Sequence, residues 1–246
     1  MTFTVTVLAF VLSFIFSLGG VGSAVVLVPV LHWLGYPLNE AKPTALFVNT
    51  ISLIAASYSN FKNKRLNLKM GLPIIIASVI MSPIGAYVST LISQKVVLSI
   101  FTAFLFFSGN MMLFFKKSKY SDQYREDQPV FSLVLIGILA GFVSGLLGVG
   151  GGGIVSPLMI MLGFNPKKVA VVTAFVIPFS SLTGFIAYLT MGHFNALLVI
   201  PVGVAAYLGG YIGTHFMHLK LSPQTIKRFL AVVILIMGVK MLTKVF

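Results

Sequence analysis

The sequence predicts an all-α polytopic membrane protein with two inverted repeats. Each repeat consists of a glycine-broken re-entrant helical hairpin followed by three transmembrane helices. The first observation behind this prediction is composition: of 246 residues, 58% are hydrophobic and 9% charged, with a mean hydropathy of +1.04. A soluble domain carries roughly a quarter charged residues. The other two observations are a pair of glycine-interrupted apolar regions and an internal repeat.

Spanning helices are predicted wherever about 20 apolar residues follow one another, because such a helix covers a hydrocarbon core of about 30 Å. Two further apolar regions, 4–34 and 131–163, are interrupted by glycine, and their arms of roughly 11 to 17 residues are short for a complete crossing. Irregular backbone is not tolerated against lipid, so we expect these breaks to be buried or to line a cavity. The six predicted spans are 42–60, 70–91, 95–115, 169–190, 195–217 and 224–244.

The two halves of the chain repeat one another at a nearly fixed shift of 128 to 129 positions. Paired glycines, prolines and threonines at one shift are much rarer by chance than paired apolar residues. The sequence therefore predicts a first membrane repeat over 1–115, a cytoplasmic linker over 116–130 and a second membrane repeat over 131–246. The matches pair Gly20, Gly22, Pro29, Gly35, Thr44, Ser52, Pro73 and Gly85 with Gly148, Gly150, Pro157, Gly163, Thr173, Ser181, Pro201 and Gly213.

The distribution of basic residues favours opposed hairpins over complete crossings. If both glycine-broken regions crossed the membrane, Lys and Arg would be divided almost evenly between its two sides. If both are re-entrant, the second repeat is inverted and most basic residues lie on one side, as the positive-inside rule expects. We therefore expect both termini outside and loops 61–69, 116–130, 164–168 and 218–228 in the cytoplasm. The basic residues left outside are then Lys42, Lys95, Lys240 and Lys244.

Charge and cysteine content exclude several functions. The net charge is +13, from 17 Lys and Arg against 4 Asp and Glu, and there is no cysteine. In a membrane protein such an excess is typical of cytoplasmic loops that face anionic lipid, so no nucleic-acid partner is expected. No acid follows Asp127, which argues against carboxylate-held cations, paired-carboxylate catalysis and acidic proton relays. An anionic substrate fits better.

The glycine breaks are the candidate substrate site. We call residues 19–23 the first tip and residues 148–153 the second tip. A short helix begins after each, and its free N–H groups and positive dipole end favour an anion, which glycine lets approach closely. Hydroxyl and amide groups on the next helices can complete a neutral cage, although small polar residues also serve membrane helix packing. The predicted substrate-binding residues are Gly20, Gly22, Ser23, Thr44, Asn49, Ser52, Gly148, Gly150, Gly151, Gly152, Gly153, Thr173, Ser180 and Ser181.

Residues 147–157 read LGVGGGGIVSP and are followed by GFNP at 163–166 and by Thr173. This pattern resembles the TauE/SafE family of membrane proteins, the sulfite exporters. Residues 19–29 with GYP at 35–37 are a weaker copy, so the resemblance covers nearly the whole chain. It implies transport of sulfite, sulfonates or related sulfur anions across the plasma membrane. Two features differ from the family: this chain lacks the cysteine that some members carry, and its first tip is poorer in glycine.

The leading hypothesis is a secondary anion transporter. An enzyme is not expected, because the sequence shows no nucleophile–base pair, no metal cluster and no cofactor motif. The second tip also fits G-x-G-x-x-G, but no strand-helix-strand unit and no downstream acid accompany it. Four histidines, His32, His193, His215 and His218, leave a minor proton-coupling role open. The alternatives are uptake or ion-coupled transport of another anion, and a non-transporting accessory subunit. Expected partners are a small anion and the lipid bilayer, and a homodimer remains open.

Overall fold

The computed structural model describes residues 2–17, 20–62, 68–114, 127–192, 196–220 and 223–245, and all regular elements within these ranges are helices. Their bounds lie close to the predicted spans, and short helices follow both tips. The predicted linker, 116–130, falls mainly on residues outside the described ranges. The helices are α1 (Thr2–Ser17), α2 (Ala24–Trp33), α3 (Leu38–Lys62), α4 (Leu68–Leu91), α5 (Gln94–Phe114), α6 (Val130–Leu147), α7 (Gly152–Met161), α8 (Pro166–Thr190), α9 (Ala196–Lys220) and α10 (Pro223–Val245).

Four of these helices are long and apolar enough to cross a bilayer within the described residues: Lys69–Leu91, Gln94–Phe114, Val130–Leu147 and Lys168–Thr190. The third of these, α6, has 18 residues, one more than the longest predicted arm of a glycine-broken region. Helices α3, α9 and α10 have 25, 25 and 23 residues, which also suffices in length. Helix α3 is less apolar because it carries polar side chains, and many of them are buried inside the protein.

Glycine ends α6 and precedes α7 at the second break, and glycines with positive φ lie in both breaks. Gly148 closes α6 with a left-handed φ of 75°, and its N–H donates to the Ser144 carbonyl at 2.8 Å. Gly150 and Gly151 continue with φ of 77° and 72°, and Gly20 and Gly22 have φ of 65° and 88° at the first break. Residues with a side chain rarely adopt this left-handed backbone conformation, so these positions favour glycine.

Helix α3 and its counterpart in the repeat, α8, pack against each other in opposite directions. Asn49 near the middle of α3 contacts Ser181, whereas Ser57 further along α3 donates a hydrogen bond to the Ala174 carbonyl at 2.8 Å. Contacts therefore move backwards along α8 as they move forwards along α3. The second pair of counterparts, α5 and α10, also runs antiparallel: a methyl group at Gly109 would meet Leu235, and one at Gly238 would meet Leu105.

Helices from different repeats that are not counterparts run parallel. Along α4 and α6, successive close approaches join Gly137 to Ile74, Gly141 to Ser78 and Gly145 to Ser82. Glycine at every fourth position lets two helix backbones approach closely, as is common between membrane helices. Helices α1 and α9 are likewise parallel, through Gly209 on Phe10 and Gly213 on Phe14.

The contacts between helices follow the sequence repeat. Helix α1 packs on α9 as α6 packs on α4, and α3 packs on α9 as α8 packs on α4. Within the repeats, α2 contacts α3 as α7 contacts α8. Each half therefore packs mainly against the other half, and the two broken regions are enclosed between them.

Candidate binding site at the two glycine tips

The two tips touch each other in the interior. A methyl group at Gly152 in the second tip would lie 2.8 Å from the Val21 carbonyl carbon in the first. Gly20 packs in the same way against the Ala170 backbone of α8, where the added carbon would lie 3.1 Å from the carbonyl carbon. Real Cβ atoms do not approach other atoms this closely, so only glycine allows the tips to meet.

Asn49 lies between the tips and contacts both. Its side chain is fully buried, and a methyl group at Gly22 would lie 2.8 Å from its Cγ. On the other side, a methyl group at Gly150 would overlap Asn49 Nδ2 and lie 2.8 Å from Ser181 Oγ. Asn49 Nδ2 donates a hydrogen bond of 2.9 Å to Ser181 Oγ, and Ser181 is also fully buried. The structure thus brings four predicted residues, Gly22, Asn49, Gly150 and Ser181, into one cluster, the tip cluster.

Polar groups in and beside the tip cluster have unused hydrogen-bonding capacity. Asn49 Oδ1 and Ser52 Oγ are buried and have no partner among the described residues. Leaving such a group unsatisfied costs about 1–3 kcal/mol. A half-turn about χ2 exchanges the two ends of the Asn49 amide and keeps a bond to Ser181, since a hydroxyl can donate or accept. The amide can therefore offer either its carbonyl oxygen or its NH2 group to a ligand.

Each tip is followed by the N-terminus of a short helix, which carries backbone N–H donors. In α7 the hydrogen bonds within the described residues begin with the N–H groups of Ile154 and Val155, which both donate to the Gly151 carbonyl. In α2 they begin with Val26 and Leu27, which donate to the Ser23 carbonyl. The N–H groups just before these are the ones that lack a helical acceptor. Both helices direct their positive dipole ends towards the tips.

The other predicted glycines position the second tip. Gly148 packs on the Cα and Cβ of Lys42, and Gly151 packs on the Ala140 carbonyl, 2.7 Å from an added methyl group. Gly153 lies against Phe104 and near Ser108, whose hydroxyl is buried without a partner among the described residues.

The remaining predicted hydroxyls bond elsewhere, and their role as ligands stays a prediction. Thr44 and Ser180 donate to carbonyls of their own helices, as do Thr50 and Thr183, which is how membrane helices commonly absorb such groups. Ser23 and Thr173 bond to other hydroxyls. The partners are Glu40 O for Thr44, Ile177 O for Ser180, Leu46 O for Thr50, Phe179 O for Thr183, Ser13 Oγ for Ser23 and Ser156 Oγ for Thr173.

Sequence reasoning placed Lys42 on the outer side of the membrane but missed its burial. Lys42 lies in the second turn of α3, is 4% exposed and bonds to the Ser89 hydroxyl of α4. The polar residues that follow Lys42 along the same predicted helix could have indicated that Lys42 is buried. The histidines are less informative. His32 Nδ1 is 3.2 Å from the Tyr36 carbonyl, and His215 is exposed. The side chains of His193 and His218 lie outside the described residues, which contain no metal-binding group of three or more such side chains.

Comparison with known proteins shows the family to which the chain belongs. A family model described as Sulfite exporter TauE/SafE matches residues 5–241. The chain belongs to the TauE/SafE family. Among its relatives, a protein of Methanocaldococcus jannaschii named as a probable membrane transporter protein is 28% identical over 258 residues, covering 96% of this chain and 93% of the relative. Probable membrane transporter protein YunE of Bacillus subtilis is 28% identical, with 92% of each chain covered.

A plant member of the TauE/SafE family matches over a shorter stretch. Sulfite exporter TauE/SafE family protein 1 of Arabidopsis thaliana is 30% identical over 139 residues, 53% of this chain and 30% of its own length. The apolar helices of spanning length and these relatives together indicate that the chain is a multi-pass membrane protein.

Proposed function

We propose that this chain is a secondary transporter that exports a small sulfur-containing anion, sulfite or an organosulfonate, across the plasma membrane. The observation that carries the proposal is the tip cluster. Two glycine turns from different repeats close on a fully buried Asn49 whose amide keeps one polar group free. Backbone N–H groups, one amide and hydroxyls can bind an oxyanion without a fixed positive charge between the tips. Such a site favours release as well as binding.

The membrane arrangement is part of the same proposal: two inverted repeats, 1–115 and 131–246, each with a re-entrant hairpin and three crossings. The antiparallel packing of α3 on α8 and of α5 on α10 supports the inversion. Helices α1 and α3 both run parallel to α9, as expected if α1 and α2 turn back to the side where they entered. Inverted repeats of this kind place the site near the bilayer midplane.

The outward-facing surface fits a lipid bilayer as partner. On α4 the side chains of Leu72, Ile76 and Ile80 are more than half exposed and recur every fourth residue. An apolar stripe at helical spacing on the outside of a bundle is typical of contact with lipid tails.

Cysteine labelling tests the arrangement. Asn39, in the first turn of α3, is exposed, and Asn165 directly precedes α8. We expect a membrane-impermeant maleimide added to intact cells to label an Asn39→Cys variant and to label Asn165→Cys only after the cells are opened. The unmodified chain has no cysteine and gives no background. Labelling of both positions from the same face contradicts the inverted arrangement.

The membrane potential can drive the proposed export. A potential negative inside favours outward movement of a monovalent anion by roughly 2.3 kcal/mol per 100 mV, so no coupling ion is required. Uptake of the anion against this potential would need a coupling ion. The names of the bacterial and archaeal relatives describe transporters rather than enzymes.

Anion flux in proteoliposomes tests the function. We expect sulfite or a small sulfonate to move down an imposed potential, at least tenfold faster than in protein-free vesicles. Sulfate and thiosulfate are compared to define selectivity. Flux that requires an added Na⁺ or H⁺ gradient would favour ion-coupled transport of an anion. Absence of flux for all these anions under both conditions would contradict the proposal and favour an accessory role.

A further inference from the structure

A second feature lies on one side of the tip cluster: Lys42 is buried, and its partner among the described residues is a hydroxyl and not a carboxylate. Its ammonium bonds to Ser89 Oγ of α4, and its stem packs on Gly148 of the second tip. Tyr188, from the end of α8, closes the same region, with its hydroxyl donating to the Gly145 carbonyl at 2.8 Å. Lys42 and Tyr188 are 4% and 1% exposed.

A buried ammonium normally has a carboxylate partner, because burial of an unpaired charge is costly and such residues in membrane proteins usually mark a substrate path. The chain offers little to pair with it. Glu40 lies two residues earlier on α3, on a different face of the helix, and the other acids all lie within 122–127. Among the described residues the polar partner of Lys42 is the Ser89 hydroxyl. One hydroxyl leaves two of the three ammonium protons for another acceptor.

Lys42 lies on the same face of α3 as Asn49, next to the proposed substrate site. The two residues are seven positions apart, two turns of α3, so they share one helix face about 10 Å apart. Both contact the second tip, Lys42 at Gly148 and Asn49 at Gly150. An anion leaving the tip cluster along this face of α3 therefore meets the Lys42 ammonium next.

The two repeats differ at this point. The place corresponding to Lys42 in the second repeat is Val171, and the first tip there packs on Ala170. A fixed cation, Lys42, thus lies on one side of the tips, and the apolar residues Ala170 and Val171 lie at the corresponding place on the other side. The surroundings of the tips therefore differ between their two sides, although the fold is repeated.

We propose that Lys42 forms a second anion-binding site, on the side of the tips where α3 begins, and exchanges the small anion with the tip cluster. This proposal rests on the proposed transport function and deepens it. The ammonium raises the anion concentration next to the tips on that side only. In the arrangement proposed above, this is the outer side of the membrane.

Charge substitution tests the second site. We expect Lys42→Met, which removes the ammonium and keeps an unbranched chain one atom shorter, to raise the apparent KM for sulfite added on that side about tenfold. A unit charge about 10 Å away acts at this strength in a protein environment. Lys42→Arg should stay within threefold of the unmodified protein. The matched control is Lys95→Met, an exposed lysine at the start of α5 on the same side of the fold, which should leave the KM unchanged.

Chemical restoration separates charge from packing. Lys42→Cys is the only thiol in the chain, and 2-bromoethylamine converts it to a thioether that differs from lysine by one sulfur in place of a methylene. We expect this alkylation to restore the sulfite KM and 2-bromoethanol, which gives a neutral group of equal length, to leave it raised. The reagents are removed before sulfite is added, because sulfite displaces bromide from both of them. Thioethers resist sulfite, so the substrate does not reverse the modification.

The outcomes are distinct for the two proposals. In one outcome the unmodified protein transports sulfite while both alkylated forms have the same sulfite KM. That result overturns the proposed second site and leaves the proposed transport function intact. If the unmodified protein moves no anion, the transport proposal fails, and sulfite binding measured by calorimetry still decides the site. Tighter sulfite binding by the 2-bromoethylamine product than by the 2-bromoethanol product then supports anion binding at Lys42, and equal affinities overturn it.

Discussion

Replacing Gly150 by alanine is expected to reduce sulfite flux at least a hundredfold. The added methyl group would overlap Asn49 Nδ2 and lie 2.8 Å from Ser181 Oγ, on a backbone with φ of 77°. The second tip would have to withdraw from Asn49, which would separate the groups that bind the anion. The measurement is potential-driven sulfite flux, normalised to the amount of protein that elutes as a single species in detergent.

Gly192→Ala provides a matched control because it carries the same backbone strain without the close contact. Gly192 has φ of 78°, and nothing lies within 4 Å of the position an added carbon would take. A left-handed residue other than glycine costs roughly 1–2 kcal/mol, so both variants should lose similar stability from strain. We expect Gly192→Ala to keep more than half the flux. Equal flux losses in the two variants would mean that strain, and not the meeting of the tips, explains the result.

Asn49→Asp is expected to abolish transport while it preserves the shape of the side chain. A carboxylate between the tips would repel an anion about 4 Å away by about 4 kcal/mol at a protein-like dielectric, several hundredfold in binding. It would also replace the NH2 group that bonds to Ser181. Binding of sulfite to the purified protein, measured by calorimetry, should fall with the flux.

The next residue supplies the control for this substitution. Thr50 is also buried, but its hydroxyl donates to the Leu46 carbonyl of its own helix at 2.8 Å. Thr50→Val keeps the shape and removes only that bond, so flux should change less than twofold. A transporter that tolerates Asn49→Asp as well as Thr50→Val would not bind its substrate between the tips.

The helices and their breaks were predictable from the sequence because each is fixed by local chemistry. Apolar length defines the spans, and consecutive glycines such as Gly150 and Gly151 define turns with positive φ. The repeat also indicated which helices are counterparts. Helix α6 is one residue longer than the longest predicted arm, and its Gly137, Gly141 and Gly145 serve as contact points against α4.

The composition of the tip cluster could not be derived in the same way. Asn49 and Ser181 lie 132 positions apart, and nothing local distinguishes them from Thr44 or Ser180, which bond to their own helices. Burial of Lys42 was hidden for a related reason. A lysine near the start of a helix looks like a loop charge until the second tip is packed on it.

The most direct test of the central claim, that the two tips bind the anion around Asn49, is to locate a bound oxyanion. Selenite is the heavier analogue of sulfite, and the chain has no thiol to reduce it. Crystals of the unmodified protein soaked in selenite, with diffraction recorded at the selenium absorption edge, should give an anomalous peak within hydrogen-bonding distance of the Asn49 amide, and sulfite should displace it. A peak only elsewhere in the protein, or none at a selenite concentration that saturates flux, would contradict the account.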